Sequence, residues 1–305
     1  MTISADTLLD RMHLKGQISR WRLFAIVLAV LAVYLLVGGS NSPVAIGRAH
    51  IARLTLDQII LDDRDTYKLI SNLQADGNVR AVIVWLDTPG GSAVGGEEIY
   101  LRLRALSEEK PVVAVMRSVA ASAGYMAALG ANRIYAREGT ITGSIGVIIE
   151  AAEVTGLAEK IGVKPIIVKS NALKSTLSPF EKPSPESIAV VQKLIDDFYN
   201  RFVDIVATGR KLPREQVVKL ADGRVYSGRE AVSLNLVDAI GGEEDALAWL
   251  QQQNESFKYL EVIDKKSKQP LSFMEQASQS LFGKFFQNSR IKLDGLVAIW
   301  HPELL

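Results

Sequence analysis

The sequence contains no cysteine. Disulfides, thiolate metal sites and a cysteine nucleophile are therefore excluded. Histidine is scarce: His13, His50 and His301 lie near the two ends of the chain. A Ser-His-Asp triad would need one of them carried into the core, and none stands in a motif that suggests it; H-E-x-x-H is absent as well. No sign of charge prevails, with 35 Lys+Arg against 34 Asp+Glu and no long basic run. That pattern lacks a nucleic-acid footprint, so no nucleic-acid partner is expected. There is also no GxxxxGK[ST] phosphate loop. Nothing calls for a cofactor or a metal, and the expectation for both is none.

What remains is 305 residues of ordinary globular composition, 48% hydrophobic and 23% charged, enough for one large core or two modest ones. The one long apolar run, residues 23–37, follows Arg20-Trp21-Arg22 and ends in Gly38-Gly39-Ser40. Trp21 and the glycines extend it towards the length of about 20 residues that a membrane span needs. With a basic flank and an interfacial tryptophan, it reads as an uncleaved signal-anchor over residues 23–39. Residues 1–22 would then form a cytoplasmic tail, with the rest of the chain outside the inner (plasma) membrane. A buried helix of a soluble protein and a cleaved signal peptide are the alternatives.

Beyond the anchor, apolar segments alternate with helical patterns. Strands are expected at 44–51, 79–86, 111–116, 133–136 and 164–169, and helices at 65–75, 97–106, 125–130, 157–161, 185–208 and 213–220. Such alternation predicts parallel βαβ units in an α/β domain over residues 44–250. Residues 251–305 form an extension of uncertain packing. It holds a possible strand at 259–263, an amphipathic helix near 273–286 and an apolar tail at 296–300.

One junction stands out. The apolar run Pro111–Met116 leads to Ala120-Ala121-Ser122-Ala123-Gly124, and a helical pattern follows. A serine in a sharp strand-to-helix turn, flanked by residues too small to cover it, has the geometry of a nucleophile, with backbone N–H groups of the helix start available to an oxyanion. A serine that merely caps the helix is the plainer reading. With no histidine near, the base for Ser122 would be a lysine or a carboxylate. Pro89-Gly90-Gly91 closes the strand at 79–86, where open α/β sheets build their sites, although by itself it reads as a turn. Lys174 lies in a loop, the usual place for a solvated lysine. To act as a base, a lysine must lose its proton against an ordinary pKa of about 10.4, which requires burial or nearby positive charge. Ser144, in Thr142-Gly143-Ser144-Ile145-Gly146, reads as a turn residue.

Taken in order, Asp87-Thr-Pro-Gly-Gly91, Ala120-Ala-Ser122-Ala-Gly-Tyr125, Ile141-Thr-Gly-Ser-Ile-Gly-Val147 and Lys169-Ser…Lys174…Ser178-Pro179 resemble the signal peptide peptidase A family of membrane-bound serine proteases. So do Asp222-Gly-Arg-Val-Tyr-Ser-Gly-Arg-Glu-Ala231 and Asn235-Leu-Val-Asp238. The resemblance implies the Clp protease/crotonase type of α/β fold in its short, single-catalytic-domain form. It places the family's nucleophile on Ser122, its general base on Lys174, its lysine-orienting serine on Ser144, and its oxyanion hole on the N–H groups of Gly91 and Ala123. It further implies peptide substrates such as signal-peptide remnants, and a homo-oligomer in which the serine and lysine of one site can come from adjacent subunits. The sequence departs from the family at Ala123, often glycine, at Asp87-Thr88, often Asn-Ser, and beyond about residue 245. A crotonase-like acyl-CoA enzyme and a non-catalytic membrane scaffold are the rival readings.

Overall fold

The computed structural model describes residues 21–22, 24–28 and 48–266, and the backbone of 297–299. It divides into two units, Met1–Arg48 and Ala49–Leu305. In the first, residues 21–22 and 24–28 are helical, with Trp21 and Phe24 edge to face at 6.0 Å and with Ile26, Val27 and Leu28 exposed. Most of the expected anchor, residues 23–39, lies outside the described residues. Among those described, no helix is long and apolar enough to cross a membrane.

The second unit opens with β1 (His50–Leu56), α1 (Arg64–Ala75) and β2 (Val79–Thr88). The short β3 (Gly90–Ser92), α2 (Ala93–Glu109), β4 (Val112–Ala121) and α3 (Ala123–Ala128) follow. Next come β5 (Arg133–Ala136), β6 (Ile141–Gly143), α4 (Thr155–Lys160), the long α5 (Pro185–Arg210) and α6 (Arg214–Leu220). The remainder comprises β7 (Val225–Ser227), α7 (Gly228–Ser233), β8 (Ala239–Ile240), α8 (Glu243–Gln253), a 3-10 turn (Glu255–Tyr259), β9 (Glu261–Lys265) and β10 (Val297–Ile299).

Parallel pairing runs β9-β1-β2-β4, and β4 then divides its free edge. Its first half pairs with β5, and its end, Val119–Ala121, pairs with β6. β7 joins β6 antiparallel, and β8 joins β5. The architecture is mixed α/β with a largely parallel sheet, as the alternating pattern predicts. Strand side chains alternate between two cores. Leu54, Val82, Val84 and Leu86 pack with Ile70, Leu103, Met126 and Phe202 from the helices on one face. Ile51, Ala81, Ile83 and Val113 meet Ala246, Leu250 and Phe257 on the other.

Two expectations need correction. Residues 164–169 form no strand; they run as irregular chain with Ile166 and Val168 90% and 92% exposed. Their composition suits a strand, but no neighbouring strand offers its backbone groups. The strand expected at 111–116 continues to Ala121, because β6 supplies a second partner beyond the polar Arg117-Ser118. In the extension, β9 is an edge strand of the main sheet, while the helix expected near 273–286 lies outside the described residues.

Candidate active site

β2 and β4 end together, with Thr88 opposite Ala120, and the chain leaves each end through a short turn into a helix. Small residues let those turns close up. A Cβ on Gly124 would lie 2.6 Å from Thr88 Cγ2, and one on Gly96 would lie 2.8 Å from Ala123 Cβ. The start of α3 is thereby pressed between β2 and α2.

Ser122 sits at this junction with φ 53° and ψ −118°, a backbone region that costs a residue with a side chain about 1–3 kcal/mol. Its N–H donates to Gly143 O at 2.8 Å, which fixes the turn against β6. Its side chain makes no capping hydrogen bond to α3, so the plain helix-cap reading fails. The hydroxyl is buried and has no hydrogen-bond partner among the described residues. An orphaned buried hydroxyl held in a strained turn is unusual, since buried polar atoms are nearly always paired.

The other expected residues fall as follows. Ala123, the first residue of α3, has an N–H with no intrahelical acceptor. Gly91 is at the centre of β3, where Ile60 N donates to Gly90 O and Ser92 N donates to Ile60 O, both at 2.8 Å. Strand alternation therefore turns the N–H and C=O of Gly91 to the opposite edge. No side chain fits there, because a Cβ on Gly91 would stand 1.8 Å from Ile60 O. Ser144 follows Gly143, the residue that accepts from Ser122, and has φ 50°. Its own N–H donates to Arg224 O at 2.8 Å. Lys174 is exposed in a run of turns, its backbone N–H donating to Asn171 O at 3.2 Å. The single chain does not bring Lys174 into hydrogen-bond contact with Ser122. His50 begins β1 opposite Val79, at the other end of the parallel sheet from Ser122, about 30 Å away at the rise of a strand. The two remaining histidines lie outside the described residues.

Sequence reasoning missed several supports. Thr142 Oγ1 donates to Ala120 O at 2.7 Å and ties β6 to β4 beside the turn. Tyr125, fully buried, donates its hydroxyl to Leu236 O at 2.9 Å and so anchors α3 from below. Burial pushes the Tyr125 phenol well above its ordinary range, so it stays a neutral donor. Asp238 accepts from Ile134 N at 2.7 Å and from Arg210 at 2.8 Å. Both Leu236 and Asp238 belong to the Asn235–Asp238 motif, which could have signalled a structural role. It was also unforeseen that β10 pairs antiparallel with β3, Ala298 standing opposite Gly91.

Residues 104–256 match the profile of peptidase family S49. A putative protease of Synechocystis sp. is 46% identical over 169 residues, 55% of this chain and 61% of that protein. A putative signal peptide peptidase SppA of Enterococcus faecium is 40% identical over 185 residues, 60% of this chain and 54% of its own. The chain thus spans between about half and three-fifths of the length of these relatives. Among solved structures, a membrane-bound stomatin-specific protease superposes with a TM-score of 0.48 and 16% identity, over 72% of this chain and 99% of that one. The S49 match covers half of the sequence and runs through the Ser122 turn, the β6 support and the Asn235–Asp238 anchor, and the chain belongs to peptidase family S49.

Proposed function

We propose that the protein is a membrane-anchored serine endopeptidase of the Clp protease/crotonase fold type, cutting apolar peptides such as signal-peptide remnants with a Ser122–Lys174 dyad. The observation that carries the reading is the buried, unpartnered Ser122 hydroxyl in its strained strand-to-helix turn. Neutral Lys174 takes the Ser122 proton as Oγ attacks a peptide carbonyl carbon. The N–H groups of Gly91 and Ala123 stabilise the oxyanion, each worth about 3–4 kcal/mol. Protonated Lys174 then gives its proton to the leaving amine, and water hydrolyses the ester. Ser144 orients the lysine.

The exposure of Lys174, away from any bond to Ser122, supports a site completed between copies of the chain. The segment carrying it is rich in exposed apolar residues, among them Leu157, Ile161, Ile166 and Val168, and the exposed Ile188, Val190 and Leu194 of α5 follow it. A second copy covering that surface would dry the lysine, as a lysine base requires. Anchoring is supported by the apolar run at 23–37 and by the exposed Trp21 and Phe24.

The test is cleavage of an apolar peptide by wild type, Ser122→Ala and Lys174→Ala, each at wild-type assembly state. Both variants should lose cleavage, and mixing them should restore part of it if each site draws on two chains. Cleavage surviving in either variant overturns the dyad. No rescue in stable mixed oligomers overturns the shared site.

A further inference from the structure

The peptide group joining Gly90 to Gly91 carries both the Gly90 carbonyl and the Gly91 N–H, and in a trans peptide the two point in opposite directions. Whatever holds Gly90 O therefore aims the Gly91 N–H. Glycine stands on both sides of this group, Gly90 with φ 114°, so no Cβ resists its rotation. A half-turn would replace the N–H by the carbonyl oxygen and aim a negative dipole where an oxyanion has to be stabilised. Ile60 N donates to Gly90 O at 2.8 Å, but Ile60 meets Gly91 only in an isolated bridge on the connection between β1 and α1. The Thr88 hydroxyl donates to the same oxygen at 3.3 Å and accepts from Gly90 N at 3.2 Å. Thr88 is fully buried at the end of β2, opposite Ala120 of β4, so this contact ties the glycine pair to the main sheet. Its methyl packs against Gly124 of α3, and in a β-branched side chain a pinned methyl fixes the direction of the hydroxyl as well.

We propose that Thr88 is a positioning residue of this site: its hydroxyl latches the Gly90–Gly91 peptide in the orientation that presents the Gly91 N–H to the oxyanion. This rests on the serine-peptidase reading above and adds to it a residue that acts through Gly91 rather than on the substrate. The Gly91 N–H is needed most when the substrate carbonyl becomes tetrahedral and its oxygen takes up negative charge. Loosening the latch therefore weakens the transition state and leaves binding of the uncut peptide as it was.

The test is Thr88→Val, which keeps the shape of the side chain and loses the hydroxyl, made in the full chain and compared with wild type at the same assembly state. For cleavage of an apolar peptide, kcat should fall at least about tenfold while KM stays within about twofold. A peptide aldehyde of the same sequence adds Ser122 Oγ at its carbonyl carbon and puts its oxygen in the oxyanion position, so its affinity should fall by the same factor as kcat. Binding of the uncut peptide to Ser122→Ala should be the same with and without Thr88→Val. A hydroxyl that only steadied the turn would not produce that split. Thr88→Ser and Thr88→Ala differ by the hydroxyl alone, and the serine variant should be the more active; this pair decides the matter if Thr88→Val does not assemble. Unchanged kcat and aldehyde affinity in Thr88→Val, or a serine variant no better than the alanine one, overturns this inference and leaves the peptidase reading standing. A peptide left uncut by wild type removes both together.

Discussion

Ser122 holds a backbone conformation that suits glycine, and the fold imposes it through Gly143 O on one side and the tight start of α3 on the other. Relieving the strain should stabilise the protein while removing the proposed nucleophile. Ser122→Gly is expected to be inactive yet about 1 kcal/mol more stable than wild type, the strain relieved exceeding the extra entropy glycine loses on folding. Chemical unfolding of both proteins measures this, and a Ser122→Gly variant less stable than Ser122→Ala would show that the turn stores no strain. Gly91 is the opposite case, because its lack of a side chain allows β3 to lie against Ile60. Gly91→Ala should cost about 1–3 kcal/mol through forced displacement of backbone, with peptidase activity falling as the Gly91 N–H moves. A normal melting curve together with normal turnover would remove Gly91 from the site.

At the scale of elements, α1 begins at Asp63, whose carboxylate accepts from the N–H groups of Asp65 and Thr66 and from the Thr66 hydroxyl at 2.6 Å. Burial alone would raise its pKa, but the Thr66 and backbone hydrogen bonds outweigh it and hold the carboxyl below its ordinary 3.8. A folded-state pKa below the unfolded one gives stability that is complete above the unfolded value and is lost as pH falls through the folded one. Urea midpoints between about pH 5 and pH 2 should therefore fall less steeply in Asp63→Asn than in wild type. At neutral pH, Asp63→Ala should cost about 1 kcal/mol. This cap was not singled out from the sequence, although the helix after it was, because a repeat of apolar residues marks a helix more clearly than its end. The same distinction separates what was legible elsewhere. Small residues around Ser122 pointed to the turn, since size is written in the residue type. The extension of β4 past Arg117-Ser118, the absence of a strand at 164–169 and the pairing of Val297–Ile299 with Gly90–Ser92 all depend on which backbone lies alongside, and that partner can be 200 residues away.

For the whole molecule, an apolar surface runs from residue 148 to the first half of α5, where Ile188, Val190 and Leu194 are exposed, whereas the buried apolar residues of α5, Phe202, Val203, Ile205 and Val206, all lie in its second half. If a second copy covers it, Ile166→Asp together with Val168→Asp should shift the assembly to smaller species in sedimentation and reduce peptide cleavage at least tenfold, while circular dichroism of the domain stays unchanged. Unchanged assembly would place the interface elsewhere. The segment Ile166-Ile167-Val168 has a further consequence for the chain before it meets any partner. Three consecutive β-branched residues without a neighbouring strand are a template for cross-β association between unassembled chains. Pro165 precedes them, Lys164 and Lys169 bracket them, and Lys169 is held in an ion pair with Glu181. Residues of these types beside an apolar strand act as gatekeepers. Pro165 and the two flanking lysines are thus expected to oppose amyloid-like association of chains through Ile166-Ile167-Val168.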